Sequence, residues 1–185
     1  MAAPPARPSR FEVLVADDDP DIRDLLGEFF RDRELAVAMA HDGRAAISEL
    51  EQSRGRYGMV VTDIGMPGAD GFTVLTAARE SCPGAYVVIM TGFATLESAV
   101  RAVRLGAHDY VTKPFSLGQI DVILDRAFLH SASSGARPRP SAAPSADLPK
   151  TLDSRLADID ARLSSIERTL GQILPLIGPP ITRGR

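Results

Sequence analysis

Five short apolar runs alternate with amphipathic segments: FEVLVA (11–16), LAVAMA (35–40), GMVVTD (58–63), AYVVIM (85–90) and HDYVTK (108–113). The first four are almost continuously apolar, which predicts strands buried on both faces, as in a parallel sheet. The intervening segments have helical spacing. Ile22, Leu25, Leu26 and Phe29 form one stripe, Ile47 and Leu50 a second, Leu96, Val100 and Val103 a third, and Ile120, Ile123 and Leu124 the last. Three signals mark helix ends. Asp19-Pro20 places an acidic N-cap before a proline at the first helical position. Ser116 and Gln119 form a capping box, and Gly106 stands where the fourth helix should stop. Repeated β–α units imply right-handed crossovers and an α/β, doubly wound sheet. Such sheets bind ligands beyond the carboxyl ends of their strands.

Those ends carry the chemistry. Asp17 and Asp18 follow the first strand, Asp63 closes the third, Thr91 follows the fourth, and Lys113 ends the fifth. Strand polarity brings them to one edge of the sheet. Three carboxylates converging there would repel one another unless a divalent cation neutralised them. Oxygen ligands suit Mg²⁺. A metal, a hydroxyl and an ammonium around one carboxylate are what phosphoryl transfer requires. Asp19 is expected to cap the first helix rather than to bind metal. His41, His108 and His130 lack metal-ligand spacing and read as structural or surface residues.

The segments VLVADDDPDIRDLL, VVTDIGMPGADG, VVIMTGFAT and GAHDYVTKPF resemble the signature blocks of bacterial response-regulator receiver domains, over about residues 11–130. Within that family they resemble receivers of the enhancer-binding class. The resemblance implies a flavodoxin-like, five-stranded sheet of order 2-1-3-4-5. It also implies that Asp63 becomes an aspartyl phosphate. Asp18 would ligate Mg²⁺ directly and Asp17 mostly through water, with the backbone carbonyl of Gly65 completing the protein ligands. Lys113 would pair with the phosphoryl oxygens, its direction fixed by a cis peptide to Pro114. Thr91 would hydrogen-bond the phosphoryl group and draw its loop inward, and Tyr110, at the aromatic switch position, would rotate into the space vacated. The expected donor is a sensor histidine kinase or phosphotransfer protein, and the expected output is a downstream protein target. On this reading the protein modifies itself and is not an enzyme in the usual sense. Gly65 bears no side chain to activate water and Phe93 is bulky, so a fairly long-lived phosphoryl group is expected.

Residues 1–10 read as a tail and 131–150, rich in Ser, Ala and Pro, as a linker. From Leu152 the spacing changes again. Leu156, Leu163 and Leu170 at a, with Leu152, Ile159, Ile166 and Ile173 at d, make a heptad seam. Ile177 extends the spacing, but Pro175 ends the helix, leaving a coiled-coil element over 151–174 of roughly 36 Å and a tail over 175–185. Arg155 and Arg162 at g would meet Asp160 and Glu167 at e of a parallel neighbour. Leu at a with Ile at d favours higher order, so a parallel homo-oligomer from dimer to tetramer is expected. Docking of this helix on its own receiver or on a partner protein is the alternative.

Charge excludes other classes. Residues 1–130 hold 13 Lys and Arg against 19 Asp and Glu, and residues 131–185 hold 8 against 5. Neither half reads as a nucleic-acid surface, and no Walker loop, helix-turn-helix or basic region follows residue 130. No direct nucleic-acid or membrane partner is expected. With no secretory signal, no membrane-length apolar run and one cysteine, Cys82, expected at a surface loop or helix end, the chain reads as cytoplasmic. The competing functional class is an oligomeric scaffold or adaptor whose receiver no longer signals by phosphate. The intact set of Asp17, Asp18, Asp63, Thr91 and Lys113 argues against it.

Overall fold

A computed structural model describes residues 11–134. The expected coiled coil over 151–174, both tails and the linker beyond Ser134 lie outside the described residues. Five β–α units follow one another: β1 (Glu12–Ala16), α1 (Pro20–Arg31), β2 (Ala36–Ala40), α2 (Gly43–Gln52), β3 (Tyr57–Asp63), α3 (Gly71–Ser81), β4 (Tyr86–Thr91), α4 (Leu96–Leu105), β5 (Asp109–Thr112) and α5 (Leu117–Ser134). All strand pairings are parallel, in the order β2-β1-β3-β4-β5. The expected α/β sheet is therefore present. α5 runs past the expected boundary at residue 130, because Ser131–Ser134 continue its last turn.

Strand alternation sorts the core into two layers. Val13, Val15, Met59, Val61, Val88 and Met90 face Leu26, Phe29 and Phe30 of α1 and Ile120, Ile123, Leu124 and Phe128 of α5. Leu14, Val60, Val87 and Ile89 face the other way, toward Leu50 of α2, Phe72 and Leu75 of α3 and Ala102 of α4. This explains the nearly unbroken apolar text of β1, β3 and β4. β2 departs from the expectation of burial on both faces: Ala36 and Met39 are exposed. It is an edge strand with a neighbour on one side only.

Two helical stripes also differ from their expected faces. On α1, Leu25 is exposed while Phe30 is fully buried. On α4, the buried residues are Ala99 and Ala102, whereas Leu96 is 57% exposed and Val100 and Val103 are half-buried. α4 turns its small side chains to the sheet, which lets it sit close, and leaves its larger ones outside.

Helix ends follow local chemistry. The Asp19 carboxylate accepts from the Asp21 amide at 2.9 Å, with Pro20 at the start of α1. Ser116 and Gln119 exchange the expected capping-box bonds. Gly106 closes α4 at φ 92°, a left-handed conformation that glycine adopts without penalty. Asp42, Asp70 and Thr95 cap α2, α3 and α4. Cys82 ends α3 as expected, but it is buried and not at the surface, with its Sγ 3.2 Å from Ser53 Oγ.

Candidate functional site at the strand carboxyl ends

Register brings the chemistry together. β3 ends on Asp63 beside Met90, and the Ile64 amide donates to the Met90 carbonyl at 2.9 Å. Thr91 pairs with Thr112, and the Lys113 amide donates to the Thr91 carbonyl at 2.8 Å. Asp17 continues β1, its amide bonded to the Ala40 carbonyl. Asp63 is held from below by α3, whose first residue is Gly71. A Cβ there would lie 2.1 Å from the Asp63 carbonyl oxygen, so only glycine lets the helix approach this closely.

The Lys113 ammonium stands between two buried carboxylates, 2.6 Å from Asp17 Oδ2 and 2.7 Å from Asp63 Oδ1. The other oxygens are held by main chain. Asp63 Oδ2 accepts from the Gly65 amide at 2.5 Å, and Asp17 Oδ1 accepts from the Asp19 amide at 3.1 Å. Asp17 Oδ2 is buried, and its ion-pair partner is the Lys113 ammonium. Burial pushes the Asp17 carboxyl above its ordinary range, and the Lys113 ammonium and the Asp19 amide only partly offset this. Burial also opposes the charge on Lys113, but the two carboxylates outweigh it and raise its pKa. The peptide from Lys113 to Pro114 is cis, as expected.

Asp17 and Asp63 meet through Lys113, whereas Asp18 is exposed at the start of the loop. Among the described residues no three acidic, histidine or cysteine side chains gather into a metal-binding cluster. The donor set still fits a hard cation. It consists of oxygens alone, and one of them, Asp17 Oδ2, is buried and short of a hydrogen-bond partner.

Thr91 is buried, and its hydroxyl accepts from the Phe93 amide at 3.1 Å. Phe93 itself is 91% exposed. Tyr110 is half-buried, and its hydroxyl lies 2.7 Å from Ser98 Oγ. Ser98 Oγ also accepts from the Thr95 amide at 3.1 Å and donates to the Thr95 carbonyl at 2.9 Å. The two hydroxyls share that bond. Tyr110 is thereby tied to the cap of α4.

Two participants have no motif in the sequence. Ser98 belongs to a T-x-x-S cap that a search for S/T-x-x-E/Q boxes passes over. Arg23 NH1 donates to the Asp17 carbonyl at 2.7 Å. Its one signal is its position in the first turn of α1, where a cation opposes the helix dipole. The histidines are structural, as expected. His108 stacks on Tyr86 and accepts from the Val87 amide through Nδ1, His130 packs edge-on to both rings, and His41 is exposed beside Asp42. No helix among the described residues is long and apolar enough to cross a membrane.

Comparison with known proteins agrees with this geometry. The response regulator receiver domain family matches residues 13–125. The transcriptional regulatory protein ZraR of Salmonella typhimurium is 31% identical over 72% of this chain and 30% of its own length. The regulatory protein AtoC of Escherichia coli is 35% identical over 62% of this chain and 24% of its own. This chain thus spans less than a third of these relatives, and the matched part is the receiver. Among solved structures, the beryllofluoride-activated NtrC4 receiver domain dimer superposes with a TM-score of 0.60 at 27% identity, covering 65% of this chain and 98% of that one. A CheY-like receiver from Methanospirillum hungatei superposes at 0.64 with 24% identity, covering 69% and 100%, a likeness of fold. With its parallel sheet, its acidic strand ends and its lysine between two carboxylates, the chain belongs to the response regulator receiver domain family.

Proposed function

We propose that the chain is a two-component response regulator that accepts a phosphoryl group on Asp63 and passes the signal on through protein contacts. The observation that carries this reading is the Lys113 ammonium, shared at 2.6 and 2.7 Å by Asp17 and Asp63 at the carboxyl ends of the strands. The Asp63 carboxylate forms a new bond to phosphorus as the donor's bond to phosphorus breaks, and the leaving group takes that electron pair. The donor is a phosphohistidine on a sensor kinase or phosphotransfer protein, or a small acyl phosphate. Lys113 then exchanges a carboxylate oxygen for phosphoryl oxygens, and the Thr91 hydroxyl leaves the Phe93 amide to join them. Asp17, Asp18, Asp63 and the Gly65 carbonyl would hold Mg²⁺, which when bound neutralises charge accumulating on the transferred group. The only turnover is slow self-dephosphorylation, so the protein is a phosphoacceptor rather than an enzyme. Gly65 favours a long-lived phosphoryl group, since it presents no side chain to orient water.

Loss of Tyr110 from Ser98 would free the cap of α4 and alter the face where Leu96, Val100 and Val103 stand partly exposed. Through residues 152–174 the chain would associate as a parallel homo-oligomer, for which the heptad spacing and the Arg155–Asp160 and Arg162–Glu167 pairings are the support. Sedimentation at micromolar concentration tests this, and a monomer would remove it.

The phosphoacceptor reading is tested by incubating the protein with acetyl phosphate, with and without Mg²⁺, and measuring intact mass. The wild type should gain one phosphoryl mass only with Mg²⁺, and Asp63→Ala should gain none. A wild-type protein that stays unmodified by acetyl phosphate and by histidine kinases would move the scaffold reading ahead.

A further inference from the structure

We infer that Arg23 is a positioning residue for the acidic site: it holds the loop after β1 so that the carboxylates of Asp17 and Asp18 can share a divalent cation. The inference rests on the metal-dependent reading above.

Asp17 is fully buried, and its backbone carbonyl lies past the last ladder pair of β1, Ala16 with Ala40 and Thr62. A buried carbonyl of this kind needs a donor. The guanidinium of Arg23 supplies one at 2.7 Å, six residues along the chain. The Arg23 amide meanwhile donates to the Asp19 carbonyl, in the first turn of α1. One residue therefore ties both ends of the Asp17–Asp19 loop to the helix, and the Asp17–Asp18 peptide lies between the ties. The Asp19 amide then reaches back to Asp17 Oδ1, which sets the direction of the carboxylate. A cation in the first turn of a helix is disfavoured by the dipole. The carbonyl bond accounts for one standing there.

Arg23 is not a catalytic residue, because its recorded contact is to main chain and not to a reacting atom. It acts through the loop that carries the acids. Loss of a residue that orients first ligands from behind typically costs about 10–100-fold in metal affinity or activity. Lysine can reach the same carbonyl with one donor, and alanine cannot.

The test is a calorimetric titration of the full chain with Mg²⁺ alone, without phosphodonor, on wild type, Arg23→Ala and Arg23→Lys. The expected result is a roughly tenfold weaker Mg²⁺ affinity for Arg23→Ala, the lower end for loss of an outer partner, with most of it restored in Arg23→Lys. The same variants are then phosphorylated with acetyl phosphate across a range of Mg²⁺ concentrations, where the rate lost in Arg23→Ala should be recovered as Mg²⁺ is raised. Unchanged Mg²⁺ affinity in Arg23→Ala overturns the inference. So does a change confined to the acetyl phosphate concentration dependence, which would make Arg23 a donor-binding group. Should Arg23→Ala fail to fold, equal affinity of Arg23→Lys and Arg23→Gln, which differ in charge and reach, would overturn it as well. If the wild type binds Mg²⁺ but gains no phosphoryl group, the proposed function fails and the positioning role stands. If it binds no Mg²⁺, both fall.

Discussion

α1 and α4 pack on opposite faces of one sheet, and they are held very differently. α1 drives Leu26, Phe29 and Phe30 into a layer that α5 completes with Ile120, Ile123, Leu124 and Phe128. α4 fully buries only Ala99 and Ala102, and leaves Leu96 and Leu105 exposed at 57% and 38%. Burial of an aromatic or leucine side chain contributes about 1.5–3 kcal/mol, whereas an alanine methyl contributes well under half of that. The first helix is a fixture of the domain. The second is lightly attached, and its cap is joined to Tyr110 and lies one loop away from Thr91. Low local stability is what an element that moves requires, so the sheet places its weakly held helix beside the site where a charge change would be felt.

The largest effect should come from the firm side. Phe30→Ala should cost about 3–5 kcal/mol in urea unfolding, the usual range for a large buried ring. A loss near 1 kcal/mol would mean that the α1 layer relaxes and the contrast is overstated. Enlarging a buried alanine compares the two sides directly. Overpacking costs about 1–3 kcal/mol. Ala127→Leu, at a fully buried position of α5, should fall at the upper end, and Ala102→Leu at the lower end because α4 can yield outward. Equal costs would break the comparison.

Ser98→Ala removes the hydrogen-bond partner of Tyr110 and half of the α4 cap, and should cost about 1 kcal/mol. With no tryptophan in the chain, Tyr110 emission in a Tyr57→Phe, Tyr86→Phe background would report the freed ring. Unchanged emission would separate the tyrosine from the cap. Leu96→Ala should be the mildest change, within about 0.5 kcal/mol at an exposed position. A clear loss of stability would mean that this residue is covered in solution, for example by another part of the chain or a second copy.

Most of the architecture could be read from the text because parallel strands buried on both sides are written as continuous apolar runs. The edge strand broke that rule: LAVAMA reads like the inner strands, and only its place in the sheet exposes Ala36 and Met39. α4 was misread for a different reason. Periodicity weights leucine and valine over alanine, yet close approach to a sheet rewards the small residue. In the site, Asp17, Asp63, Thr91 and Lys113 could be identified because strand polarity alone brings them to one edge. Asp18 follows Asp17 at the same edge and is exposed there. Arg23 and Ser98 escaped because a side chain bonding to nearby main chain or to a distant phenol leaves no spacing to search for.

Two anions leaning on a single ammonium leave the heart of this domain one positive charge short. Whatever supplies that charge, whether an ion from solution or a proton on the carboxyl that burial has already made reluctant to ionise, should also make the whole domain harder to melt. The heat resistance of the protein is then a gauge of how fully its acidic site is neutralised.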